Sequence, residues 1–161
     1  MRSLSLAGLV LVLLAAAPAH AERTCHHIIG QVKIGESVVV PKNANCKIDG
    51  ARISGDVEVK EGGVLRMRNA QVSGDVEGRG ARSVLIDKSR ISGDVDLRKG
   101  GVVRLDGSNI GGDVDLRENS GGIRVRNTSI GGDLDCRDNR QRPSGHGNRV
   151  GDSKENQCRH L

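Results

Sequence analysis

The heptapeptide Ile91-Ser92-Gly93-Asp94-Val95-Asp96-Leu97 is one of five copies of a single frame. The others occupy 53–59, 72–78, 110–116 and 130–136, and successive copies begin 19, 19, 19 and 20 residues apart. With the residue after each Gly-Asp set as position 0, apolar or small residues recur at positions 0, 2, 8, 10, 13 and 15. In one unit these are Val95, Leu97, Val103, Leu105, Ser108 and Ile110. Nineteen residues earlier they are Val76, Gly78, Val84, Ile86, Ser89 and Ile91, and before that Val57, Val59, Leu65, Met67, Ala70 and Val72. A further step back gives Val38, Val40, Cys46, Ile48, Ala51 and Ile53. That unit lacks Gly-Asp, so its agreement tests the register independently. With one residue inserted near Ser120, the following unit reads Val114, Leu116, Ile123, Val125, Thr128 and Ile130.

Each pair is two residues apart, which is the alternation of a strand with one face inward. Three pairs per unit make three short faces. The chain is therefore expected to be all-β, a single-stranded three-sided β-solenoid (β-helix) of about six 19–20-residue coils. A helical repeat does not fit pairs at i, i+2 separated by Gly-rich corners, and a leucine-rich repeat would need many more leucines. Residues 26–34 read as a partial leading coil, with His27, Ile29, Val32 and Ile34 one period before Cys46, Ile48, Ala51 and Ile53. At the far end 137–149 is polar, with Asn148 and Val150 as a last returning edge.

The composition agrees. There is no Phe, Tyr or Trp among 161 residues, so the core cannot rest on aromatics. Ladders of Ile, Val and Leu can supply it instead, and the 23 glycines suit repeated corners. Residues 1–21 have the pattern of a signal peptide. Arg2 precedes an apolar run from Leu4 to Ala17, and Ala19-His20-Ala21 is a small-x-small cleavage site. The run is too short for a membrane span. The expected organisation is a signal peptide over 1–21 and one solenoid domain over 22–161. Within it 22–37 is the N-terminal cap, 38–136 the regular coils and 137–161 the C-terminal cap.

Four cysteines lie outside the leader, an even number that in an exported chain implies two disulfides. Cys25 and Cys46 are 21 residues apart, and Cys136 and Cys158 are 22 apart: one coil plus two residues in each case. Residues one coil apart lie in adjacent layers, within bridging reach. The expected pairs are Cys25–Cys46 and Cys136–Cys158, one clasp on each end. Cys25-His26-His27 also raises a metal site, but neighbouring side chains on a strand point to opposite faces and ligate poorly together.

The frame resembles the repeats of poorly characterised exported bacterial β-solenoid proteins of the V-x-G-N-V-x-L type, which end in a cysteine-containing repeat, a Pro/Gly-rich segment and a final N-x-V…C. The matching pieces are Ile110-Gly-Gly-Asp-Val-Asp-Leu116, Ile130-Gly-Gly-Asp-Leu-Asp-Cys136, Asn148-Arg-Val150 and Cys158. Almost the whole mature chain is covered, with Asp where that group usually has Asn or Gln. The resemblance implies export and a β-solenoid and no particular activity. The chain is more weakly similar to bactofilins, polymer-forming bacterial solenoids that are cytoplasmic or membrane-tethered. It departs from them in its leader and its cysteine clasps.

Outward positions should stack into columns. Position −1 holds Asp56, Asp75, Asp94, Asp113 and Asp133, and position +1 holds Glu58, Glu77, Asp96, Asp115 and Asp135. Half of the twenty acids thus form two files. Position +3 holds Lys60, Arg79, Arg98, Arg117 and Arg137, a candidate anion-facing file. Position +9 holds Lys47, Arg66, Arg104 and Arg124, with Leu85 breaking the file. Like charges about 5 Å apart repel by roughly 1 kcal/mol even in water, so the acidic files need an offset. One offset is local: salt bridges to the +3 file, and turn N–H groups donating to the −1 carboxylates. The other is a divalent cation such as calcium held by the ten carboxylates, although the G-G-x-G-x-D calcium repeat is present only in part.

Function classes follow from the same residues. The net charge of +5 invites a nucleic-acid reading, but no aromatic can stack a base. Anionic envelope polymers suit the basic files better. No catalytic residue stands out. Paired carboxylates are everywhere, His26, His27, His146 and His160 lie near the ends, and Ser89 and Ser108 occupy inward packing positions. Ice binding would need threonine ranks, which are missing. The expected function is an exported, non-enzymatic structural or interaction module of the bacterial envelope, periplasmic or secreted, with no cofactor and no membrane span. The alternative is a divalent-cation- or glycan-binding module that uses the carboxylate files.

Overall fold

A computed structural model describes residues 22–161. The segment 1–21, expected to be a signal peptide, lies outside the described residues. The chain winds into a three-sided parallel β-solenoid of about seven turns, against the six expected. Its faces are an eight-stranded sheet and two seven-stranded sheets, in each of which every third strand pairs in parallel. One turn consists of the strand Val95–Arg98 on the first face, Val102–Asp106 on the second and Asn109–Ile110 on the third.

The register is the one set by the 19-residue period. Val76 pairs with Val95 and Val95 with Val114 on the first face. Ile86 pairs with Leu105 on the second, and Ile91 with Ile110 on the third. The added residue is absorbed at the corner before the strand Ile123–Arg126, where Val103 meets Ile123 across a step of twenty. Like therefore stacks on like, and the inward pairs fuse into one core in which Ile48, Leu65, Ile86, Leu105, Leu116 and Ile130 are essentially sealed from solvent. The inward hydroxyl residues Ser89, Ser108 and Thr128 are buried too. Where Gly78 takes a core position, Leu97 fills the gap: a Cβ on Gly78 would lie 3.0 Å from Leu97 Cδ2 and 3.4 Å from Ala81 Cβ.

The ends differ from the regular coils. Ile29 and Ile34 occupy the expected inward sites of the leading coil and pair with Ile48 and Ile53. His27 and Val32 do not: both are exposed, because no layer lies beyond them to enclose the corner, and Cys25 fills the inside in their place. At the other end the polar segment completes a further turn. Ser144–His146 pairs with Ile123–Arg126, Arg149–Val150 with Ser129–Ile130, and Lys154–Asn156 with Leu134–Arg137. Gly145 sits in that turn where Val125 sits below it, and a Cβ there would meet Val125 O at 1.7 Å. Pro143, Cys158 and Leu161 close the core beyond it.

Both disulfides join as expected, Cys25–Cys46 with Cα atoms 5.6 Å apart and Cys136–Cys158 at 5.3 Å. No cysteine is free among the described residues, which is consistent with an oxidising compartment. No helix of the described residues is long and apolar enough to cross a membrane.

Three outcomes are expected. Alkylation of the unfolded, non-reduced protein should add no mass at the four cysteines, and Cys136→Ala/Cys158→Ala should lower unfolding free energy by roughly 3 kcal/mol in a denaturant titration. Leu105→Ala, at a site with no exposure, should cost about 2–5 kcal/mol in the same measurement.

Candidate functional site

The Gly-Asp corner builds the −1 file. In each coil the backbone N–H of the aspartate donates to Oδ1 of the aspartate one coil earlier: Asp75 to Asp56 at 3.0 Å, Asp94 to Asp75 at 2.7 Å, Asp113 to Asp94 and Asp133 to Asp113 at 2.8 Å. Serines terminate the ladder. Ser37 Oγ accepts from the Asp56 N–H at 3.0 Å, and Ser153 donates both its N–H and its hydroxyl to Asp133. The glycine before each aspartate has a steric cause. A Cβ on Gly93 would lie 1.8 Å from Asp75 Oδ1, and those on Gly74, Gly112 and Gly132 would be equally close to their own carboxylates. Glycine and aspartate are thus one device repeated down the rod. A hydrogen bond to a charged group contributes about 1.5–3 kcal/mol, more than the roughly 1 kcal/mol of repulsion between neighbouring rungs, so the ladder wins.

The +1 file is neutralised by the +3 file on the same strands. Lys60 pairs with Glu58 and Arg98 with Asp96; Arg117 reaches Asp115 at 2.5 Å and Asp135 at 3.8 Å, and Arg137 reaches Asp135 at 2.5 Å. Four members of the candidate anion-facing file are therefore engaged with carboxylates. Arg79 is the exception, and its neighbour Glu77 has no basic group within 4 Å among the described residues. Burial, then the charges of Asp75, Asp96, Asp56 and Glu58, push the Glu77 carboxyl above its ordinary value. Asp135 moves the other way. Burial opposes its ionisation, but bonds from Arg137 and Asn156 and the charges of Arg137 and Arg117 outweigh it and hold the carboxyl low. Ser153 likewise lowers Asp133. Among the described residues no three His, Cys, Asp or Glu side chains converge to hold a metal ion.

The other corners carry ladders of their own. Asn119 Oδ1 accepts from the Gly100 N–H, Asn139 Oδ1 from the Asn119 N–H and Gln157 Oε1 from the Asn139 N–H, each at 2.9 Å. Their amide groups donate to Leu97 O, Leu116 O and Asn139 O. Sequence reasoning missed this ladder, whose signal was asparagine at position +5 in two successive coils. At the third corner Ser89 and Ser108 each accept a backbone N–H at 3.2 Å and donate to Asp87 O and Asp106 O, which accounts for their inward positions.

Charge is segregated by face. The two carboxylate files lie on the first. The second presents the column Lys47, Arg66, Leu85, Arg104, Arg124, in register coil by coil. Its acids are spent locally: Asp49 on Lys47, Asp87 on Arg68, and Asp106 on Arg104 and Arg126. The hydrogen bond from Arg126, with help from Arg104, lowers the Asp106 carboxyl. The strands of the third face carry Lys33, Arg52, Arg90 and Arg149 and no carboxylate. The terminal histidines stay apart from the acidic files; His160 Nε2 lies 3.1 Å from Pro143 O.

No family model, curated protein or solved structure matches the chain.

Four variants test this arrangement. Gly93→Ala should cost about 1–3 kcal/mol by breaking a rung, whereas Gly35→Ala, whose Cβ meets nothing within 4 Å, should be near neutral in the same melt. Asp106, Asp133 and Asp135 have folded values below their unfolded ones. Their contribution is complete above the unfolded carboxylate range and is lost as pH falls through the folded values. Asp135→Asn should therefore lower the melting temperature at pH 7 and flatten its fall on the acid side. Glu77 has the opposite sign: its contribution is present at low pH and lost as pH rises. Glu77→Gln should raise the melting temperature at pH 7 by about 1–2 °C and leave it unchanged at pH 3.

Proposed function

We propose that the chain is an exported, non-enzymatic structural or interaction module of a bacterial cell envelope, working in the periplasm or outside the cell. The observation that carries this reading is a rod clasped covalently at both ends, on which charged columns repeat at every coil. Equal groups at equal spacing favour many weak, equivalent contacts along an extended partner. The signal-peptide pattern and the paired cysteines support export. The likeness to exported V-x-G-N-V-x-L repeat proteins supports the same assignment.

Glu77 favours a second reading, in which the carboxylate files take up a divalent cation or a glycan. It lies among four like charges with no basic group within 4 Å among the described residues, and a cation there would relieve the repulsion.

Cell fractionation tests the first reading. The chain should be recovered outside the cytoplasm with its N-terminus near Glu22 and its four cysteines oxidised; reduced, unprocessed chain in the cytoplasm overturns it. Thermal melts in millimolar calcium and in chelator separate the two readings. The first expects coincident curves. A calcium-dependent rise that Glu77→Gln abolishes would establish the second.

A further inference from the structure

The second face contains a groove built differently from the rest of the rod. Leu85 and Val102 form its floor, with Val102 45% exposed, and Gly122 leaves the space beside them open. Arg104, Arg124 and Arg142 stand around it. Arg104 is tied on one side to Asp106 at 3.2 Å, while Arg124 and Arg142 are exposed and have no carboxylate within 4 Å among the described residues. Leu85, which interrupts the basic file in the sequence, is the apolar floor between basic groups.

We infer that this groove docks a linear acidic polysaccharide, with an apolar sugar face on Leu85 and Val102 and its carboxylates or sulfates on Arg124 and Arg142. The inference rests on the reading of the chain as an exported interaction module and names the surface and the partner. Three observations select this partner. The free charges are guanidiniums, which bind oxyanions through paired N–H groups. Arg124 is the register partner of Arg104 on a ladder that advances about 4.8 Å per coil, close to the length one pyranose adds to an extended chain, and Arg142 stands at the corner two residues before Ser144, the partner of Arg124 in the next coil. The protein contains no Phe, Tyr or Trp on which a nucleobase could stack, which disfavours a nucleic acid of the same charge. The first face cannot serve, since most of its basic side chains already hold carboxylates.

The test uses the full chain, exported and oxidised, over immobilised polygalacturonate at low and physiological ionic strength, with dextran and an oligothymidylate as the other surfaces. The wild type should bind polygalacturonate in a salt-sensitive manner and ignore dextran. Arg124→Glu/Arg142→Glu should weaken binding by about tenfold or more, and Leu85→Asp should weaken it as well. Arg79→Glu, a single charge reversal on the first face, should stay within about twofold, whereas Arg124→Glu alone, a reversal of the same size, should exceed it. If the double reversal disturbs folding, as read by circular dichroism and melting, Arg124→Gln/Arg142→Gln replaces it. Three results overturn the inference: no wild-type binding at low salt, equal loss with Arg79→Glu, or tighter binding to the oligothymidylate. Each leaves the broader reading intact, because export is scored separately by fractionation; a chain retained in the cytoplasm overturns both.

Discussion

Parallel stacking in register is the constraint on which everything else in this molecule depends. Once the coils hydrogen-bond at one strand spacing, every side chain lies on its own counterpart from the coil before. For Ile, Val and Leu this is favourable, and identical branched side chains replace the aromatics that a domain of this size usually buries. For charged side chains the same stacking is a penalty. The protein meets it by giving each carboxylate a second task. The −1 aspartates satisfy corner N–H groups that would otherwise have no partner, and the +1 acids pair with the +3 bases.

The corner ladders follow from that rule. A three-sided coil turns sharply three times, and each turn leaves backbone donors pointing along the rod axis. Three chemistries solve the same problem: a carboxylate in the Asp56–Asp133 ladder, an amide at Asn119 and Asn139, and a hydroxyl at Ser89 and Ser108. The carboxylate version requires glycine beside it, because Oδ1 occupies the place a Cβ would take. The buried amide version avoids placing charge inside, where an unpaired carboxylate would be costly. It sits in the last turns, where Asn119 and Asn139 are almost fully enclosed.

Much of this was legible in the sequence because a solenoid writes its fold as a period. The inward pairs, the register, both disulfides and the stacked files all follow from adding or subtracting 19 or 20. What could not be read has local physical causes. His27 and Val32 match the period but are exposed, since periodicity assumes a neighbour on both sides and the first coil has one. The last turn was obscured because Gly145 and Pro143 replace the branched residues that announce a coil. The charge segregation was hidden because the +3 and +9 files look alike as columns of arginine. The salt bridges expected of the +3 file form at Arg98 and Arg117; what only the fold shows is that Arg124, in the +9 file, has no carboxylate within 4 Å among the described residues.

That difference makes the net charge a poor guide to the partner. The formal +5 is a small residue of larger opposing terms: two carboxylate files outweigh one file of bases on the first face, the acids of the second are spent locally, and the strands of the third carry bases and no carboxylate. The faces are separated by the core, and packed sheets stand about 10 Å apart. The Debye length at physiological ionic strength is about 8 Å. A partner at the second face therefore feels chiefly the arginines in front of it, and the acidic face is largely screened. Shifts in bulk charge that leave Arg124 and Arg142 in place should alter solubility more than recognition, whereas the loss of those two removes exposed guanidiniums that flank the apolar floor of the second face.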